Sequence, residues 1–169
     1  SSRSDRIQRS VVRLVNYTQR GDWFSPWEVT QVTELSGSGF VDKSQPAPGF
    51  VLRNLDGEEL RMADFSGEVL LLSFWASWSK PSRAELSVLD SLQVRYRDQG
   101  LRVVALAIDD RVEAVRSFTA QNPSSIAIAM ADAKVQKDYG IDGLIPRTYA
   151  IDRRGMVREV YNGFESGYR

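Results

Sequence analysis

VLLLSFWASWSKPSRAELSVLDSL, residues Val69 to Leu92, decides how this 169-residue chain folds. Its first third, Val69 through Ala76, is an almost unbroken apolar run, the pattern of a parallel strand covered on both faces. The run turns through Ser77-Trp78 into Ser79-Lys80-Pro81-Ser82 and then takes on helical spacing. Ser79 is a favourable N-cap, and Pro81 is tolerated in a first turn whose N–H groups lack helical partners. Ser82, Glu85, Leu89, Leu92 and Tyr96 recur at helical intervals and share one face. A buried strand ending at a helix N-terminus is a place suited to chemistry, because the dipole and free N–H groups there stabilise an anion such as a thiolate.

The segment FWASWSKPSRAE resembles the active-site stretch of thioredoxin-like thiol-disulfide oxidoreductases of the TlpA/ResA/DsbE type. That family carries Trp-Cys-x-x-Cys where this chain has Trp78-Ser79-Lys80-Pro81-Ser82. Tyr139 to Asp152 resembles the family segment that bears a cis-proline opposite the active site, here Ile145-Pro146. Ala47-Pro48-Gly49-Phe50, Asp56-Gly57 and Asp64-Phe65-Ser66-Gly67 resemble its opening strand and hairpin. Three blocks in family order span residues 46–162. The resemblance implies an α/β thioredoxin-like sandwich, a central mixed sheet with helices on both faces and an N-terminal hairpin. It places Ser79 and Ser82 at the positions of the redox cysteines and Glu85 at a buried acid that tunes them. It also implies a substrate edge made of Trp78, Lys80, Pro81, Ile145 and Pro146, with the backbone of Ile145 offered to an extended peptide.

Composition is that of a soluble globular protein, with 42% apolar and 26% charged residues. Twenty-two basic residues balance 22 acidic ones, so no net field draws in nucleic acid or anionic lipid. No apolar run is long enough to span a bilayer, and no signal-peptide pattern is read, so a targeting segment is expected to be either absent or already cut away. The chain has no cysteine and no histidine, which removes disulfides, thiol catalysis and the usual zinc ligands together.

Residues 1–45 read as an extension and residues 46–169 as the main domain. Ser4 can cap a helix carrying Ile7, Val11, Leu14 and Val15 on one side, with Arg3, Arg6, Arg9 and Arg13 elsewhere. Such a helix either docks on its own domain or lies on a membrane surface. Gly21-Asp22 ends it, residues 27–35 alternate weakly as a strand, and 36–39 begin a flexible connection. Trp23, Phe24 and Trp27 are costly to expose and call for a packing partner.

The main domain alternates strand and helix. Phe50–Asn54 is the first strand, Asp56-Gly57 its turn, and Leu60–Phe65 a short connection. Gly100 stops the first helix, and Leu101–Ile108 is a second apolar strand. Val112–Gln121 is helical with Val112, Val115 and Phe118 inward, Ile126–Met130 is a strand, and Asp132 caps a helix ended by Gly140. Arg147–Asp152 and Met156–Tyr161 are strands joined at Arg153-Arg154-Gly155. The family closes with another helix, so the chain is expected to be trimmed from a longer polypeptide before it.

The chemistry available to this sequence is narrow. A serine hydroxyl is not ionised near neutral pH, and Ser79 needs an adjacent base to act as a nucleophile. No histidine supplies one. An N-cap serine followed by a small polar Ser82 is the plain alternative to a function for either. Read without the family, Glu85 is an ordinary first-turn acid complementing the helix dipole, and the family match favours the functional origin. Asp109-Asp110 ends a strand where ligands of α/β proteins bind, yet two adjacent acids more often cap a loop, and no metal is expected.

Drift would not place serine, the nearest isostere of cysteine, at both positions while sparing Trp78, Pro81, Glu85 and Pro146. Paired replacement of two cysteines is the simpler account. The implied parent activity is disulfide reduction in exported proteins, apocytochrome c among the family's substrates, without a cofactor. The rival reading is a redox-dead module that holds an extended peptide. A peroxiredoxin-like peroxidase fits less well, since Trp-x-x-Pro favours the dithiol branch. Expected partners are protein thiols, disulfides or extended peptides, with no nucleic acid. The expected location is extracytoplasmic, of bacterial type, with a membrane tether outside this chain.

Overall fold

A computed structural model describes residues 3–19 and 44–163. The expectations for Gly21-Asp22, Trp23, Phe24, Trp27, the 27–35 strand, the 36–39 connection and the chain after Gly163 lie outside these residues. In chain order the elements are α1 (Arg3–Gln19), β1 (Val51–Arg53), β2 (Glu59–Arg61), β3 (Val69–Trp75), α2 (Lys80–Tyr96), β4 (Leu101–Ala107), α3 (Val112–Gln121), β5 (Ala127–Met130), α4 (Ala133–Asp138), β6 (Arg147–Ile151) and β7 (Val157–Asn162). Short 3-10 turns at Met62–Phe65 and Arg97–Gln99 follow β2 and α2.

Five strands form one mixed sheet in the order β5-β4-β3-β6-β7. β3 pairs in parallel with β4 and antiparallel with β6, which makes it the central strand. All seven of its residues are buried, as the apolar run predicts for a strand covered on both faces. Alternation along β3 divides the core in two. Val69, Leu71 and Trp75 join Leu86, Leu89 and Leu92 of α2, Val115 of α3 and the apolar face of α1. Leu70, Leu72 and Phe74 join Phe50, Leu52, Leu60, Val135 of α4, Tyr139 and Tyr149. Helices therefore cover both faces, and the α/β sandwich expected from the sequence is the observed fold.

Phe74 is fully buried, with ring centroids 5.2 Å from Tyr139 and 6.1 Å from Tyr149. Phe74→Ala is expected to cost about 3–5 kcal/mol, because the three-ring contact cannot close over the void. A chemical denaturation midpoint that falls at constant slope is the measurement that checks it.

Local chemistry accounts for the element ends. Ser79 caps α2 by accepting from the Ser82 N–H at 3.3 Å, and Asp132 caps α4 by accepting from the Val135 N–H at 2.8 Å. Gly100 sits at φ 91°, where any side chain would also press on the Arg153 guanidinium. Asp152 Oδ1 accepts from the N–H groups of Arg154 and Met156, and its Oδ2 takes Arg158 Nε at 2.7 Å, which shapes the β6–β7 turn.

Two expectations are corrected. The segment from Leu60 is not a plain connection: Glu59–Arg61 is a strand pairing with β1 to form the hairpin, and Met62–Phe65 is a 3-10 turn. Leu52 and Leu60 face each other and are buried while their neighbours are exposed, a period of two hidden by the shortness of the segment. In α3 the inward face is as expected, with Val115 fully buried and the Phe118 ring 5.4 Å from that of Trp75, while Val112 is half-buried. In α1 the helix already includes Arg3, so Ser4 is not its cap, and Arg3 is on the buried face with Ile7, Val11, Leu14 and Val15. Position 3 is one helical turn before Ile7, so spacing puts it inward even though charge argued for the outside. The helix docks on its own domain, and Tyr161 of β7 donates to the Arg6 carbonyl at 3.2 Å and bonds Ser10.

Candidate active site

β3 delivers the chain to the C-terminal edge of the sheet, where Trp75 gives way to Ala76, Ser77 and Trp78 before α2 begins. The turn is held by two side chains from elsewhere. Asp109, at the end of β4, accepts from the Ser77 N–H at 3.0 Å and from the Ser77 hydroxyl. Arg83 donates to the Ser77 carbonyl at 2.8 Å. Asp109 thus acts as a loop cap, and among the described residues no cluster of acidic side chains is arranged to hold a metal.

Ser79 is 7% exposed and Ser82, three residues on in the first turn of α2, is fully buried. Trp78 projects into solvent at 66% exposure, and Lys80 and Pro81 are exposed beside it. Ile145-Pro146 is a cis peptide bond, as the sequence reading expects. Arg147 follows it directly and pairs with Phe74 in the β3–β6 register, which brings the proline to the same end of the sheet as the Ser77–Ser79 turn. The Pro146 carbonyl accepts from the Gly163 N–H at 2.8 Å. Arg147 is buried and donates to Asn162 Oδ1 at 2.7 Å and the Gly140 carbonyl at 2.8 Å, which anchors the loop from both sides.

Under the turn lies a buried polar cluster. Glu85 is 1% exposed and faces Ser73 of β3 and Thr148 of β6, which are cross-strand partners. The Thr148 hydroxyl bonds Glu85 Oε1, and Ser73 Oγ is 3.5 Å from the same oxygen. Arg3 Nε stands 2.7 Å from Glu85 Oε2. Burial pushes the Glu85 carboxyl above the ordinary carboxylate range, while Arg3 and the two hydroxyls pull against that shift. Burial likewise lowers the Arg3 guanidinium from its usual value, against the pull of Glu85.

The structure brings Trp78, Ser79, Lys80, Pro81, Ser82 and Glu85 into one strand–turn–helix, with Ile145 and Pro146 at the same sheet end. Sequence reasoning missed Arg3, Ser73, Thr148, Arg83 and Arg147. Ser73 carried a signal, being the single polar residue on the helix-facing side of an apolar strand. Thr148 carried none, because only the β3–β6 register places it beside Ser73.

The sequence profile of the AhpC/TSA family matches residues 44–160. Thioredoxin-like protein YneN of Bacillus subtilis is 30% identical over 156 residues, covering 90% of this chain and 86% of its own length. Thiol-disulfide oxidoreductase ResA of Bacillus anthracis is 31% identical over 126 residues, 71% of this chain and 72% of its own. Among solved structures, a Chlorobium tepidum protein provisionally described as thiol:disulfide interchange protein DsbE superposes with a TM-score of 0.69 at 32% identity. That match covers 74% of this chain and 88% of the other.

Proposed function

This chain belongs to the AhpC/TSA family of thioredoxin-like proteins, and on that premise we propose that it is a thiol-disulfide oxidoreductase framework with hydroxyls in place of both thiols. The parent reaction is disulfide reduction in exported proteins, at an extracytoplasmic location. In that reaction the residue at position 79 attacks a substrate disulfide, the residue at 82 resolves the mixed disulfide, and Glu85 exchanges protons with the pair. Trp78, Lys80, Pro81, Ile145 and Pro146 form the substrate edge. Residues 46–169 are the domain, and residues 1–45 are an extension that lends α1 to its core. Among the described residues no helix is long and apolar enough to cross a membrane.

The observation that carries the reading is the placement of Ser79 and Ser82. One caps a 17-residue helix behind a fully buried strand, and the other lies sealed one turn below it. A thiolate at position 79 would be stabilised by the helix N-terminus, whereas a hydroxyl there stays protonated and forms no disulfide. As written, the chain is expected to reduce no insulin at any pH. Ser79→Cys together with Ser82→Cys is expected to create a reversible dithiol–disulfide couple and insulin reduction. A folded double variant that never cycles would overturn the enzyme framework.

A second reading has its own support. Trp78 at 66% and Leu144 at 54% exposure are large apolar groups left in water, adjoining Ser79 and Ile145 in the chain. They suit a module that binds an extended protein segment without electron transfer. Binding of the reduced, alkylated substrate by the serine chain, lost in Trp78→Ala, is the result that this reading requires.

A further inference from the structure

Arg3 and Glu85 are each 1% exposed and 2.7 Å apart, so two opposite charges share one dry site beneath the Ser79–Ser82 turn. A buried charge is tolerated where a partner and hydrogen bonds replace water. Arg3 has both. Its Nη2 donates to the Tyr161 carbonyl at 3.0 Å and lies 3.4 Å from Thr148 Oγ1, and its guanidinium stands over the Tyr161 ring at 5.8 Å. Its position is fixed by α1, whose Ile7, Val11, Leu14 and Val15 are buried and whose Arg13 pairs with Glu159 of β7 at 2.8 Å.

We propose that Arg3 is a positioning residue of the active centre: from α1 it sets the charge state and orientation of Glu85, making the N-terminal helix a working part of the site. For the redox role of Glu85 the proposal rests on the oxidoreductase reading above; the Arg3–Glu85 coupling itself does not. The groups that face the pair are Ser73 from β3, Thr148 from β6, Tyr161 from β7 and, along α1, Arg6. Among the described residues, Arg3 is the cation in contact with the carboxylate. The hydroxyls orient Glu85 Oε1, and Arg3 takes Oε2. An opposite charge at this range lowers a carboxyl pKa by about 1–3 units, so without Arg3 only the Thr148 and Ser73 hydroxyls oppose the effect of burial on Glu85.

The test has two arms. In the serine chain, the infrared carboxyl band assigned to Glu85 by its loss in Glu85→Gln is followed against pH. Arg3→Met is expected to raise the pH of its titration by at least about one unit, a tenfold change in ionisation ratio, and Arg3→Lys is expected to hold it in place. An unshifted band in Arg3→Met overturns the proposal. In the Ser79→Cys/Ser82→Cys chain, Arg3→Met is expected to move the pH profile of thiol exchange, and Glu85→Gln to remove that sensitivity. A shift of equal size in the Glu85→Gln background would show that Arg3 acts on the thiols without Glu85 and would also overturn it. If the cysteine chain does not cycle, the oxidoreductase reading fails while the infrared arm still judges Arg3. Should Arg3→Met not fold, Arg3→Met/Glu85→Gln keeps the question open to measurement. The neutral pair is expected to unfold less readily than Arg3→Met by about a hundredfold or more in equilibrium constant, and equal instability of the two would count against the coupling.

Discussion

Ser79→Cys alone is expected to be modified by disulfide reagents at least about a hundredfold faster than Ser82→Cys alone. Position 79 opens α2, where the helix N-terminus favours a thiolate, and it retains some access to solvent. A free thiol of pKa about 8.5 is only a few per cent ionised at neutral pH, and a shift to about 7 brings it near one half. Intrinsic nucleophilicity falls as the pKa falls and returns part of that gain. Position 82 has the opposite setting, being fully buried with apolar Leu86 and Leu89 following on its helix. Burial raises a thiol pKa and blocks the approach of a reagent together. Stopped-flow reaction with an aromatic disulfide measures both rates on folded protein. Comparable rates would remove the assignment of position 79 as the attacking residue. With a protein disulfide as substrate, Ser79→Cys should accumulate the mixed disulfide, since no thiol stands below to resolve it.

Alkaline unfolding between pH 10 and about pH 12 is the second large effect. Tyr139, Tyr149 and Tyr161 are buried, and each phenol donates to a carbonyl, of Pro48, Tyr139 and Arg6 respectively. Burial pushes Tyr149 and Tyr161 up to about 12, and Tyr139 further. An unfolded phenol ionises near 10, so the unfolded chain loses its protons first. Because the folded values are the raised ones, this stability is fully present below pH 10 and is lost as pH rises toward the folded values. With three groups at about 1.4 kcal/mol per unit each, the slope reaches about 4 kcal/mol per pH unit. The phenolate absorbance of these three tyrosines should therefore appear together with the loss of secondary structure, in one transition. Phenolate signal from these three tyrosines in folded protein near pH 10 would contradict their burial.

The contrast between what the sequence revealed and what it hid follows from the range of each interaction. Val69–Trp75 was legible because burial on both faces demands an apolar run, and α2 because its cap and spacing are local. Asp132 and Gly100 were legible for the same reason. The cis bond at Ile145-Pro146 was reached by resemblance, since a proline alone reads as an ordinary turn. Arg3 was hidden because its burial depends on a carboxylate 82 positions away in the numbering, supplied by another helix. Thr148 was hidden because a one-residue change of register would turn it to the opposite face. Within the site, the strand, the turn and the helix that follow one another were legible locally. The residues that meet across the sheet needed the fold.

The anchorage of α1 on β7 also sets an order of events during biosynthesis. Arg3 and the strand carbonyl it binds are 158 residues apart. At about 5–20 residues per second, a ribosome needs about 8–30 s between making the helix and making its berth. Until β7 is made, Ile7, Val11, Leu14 and Val15 have only the β3 and α2 side of their berth, although the helix itself can form within microseconds. The nascent chain thus carries an incompletely covered apolar ridge until translation is nearly through β7, a natural ligand for holdase chaperones. Closure of the last strand would be the event that displaces the chaperone.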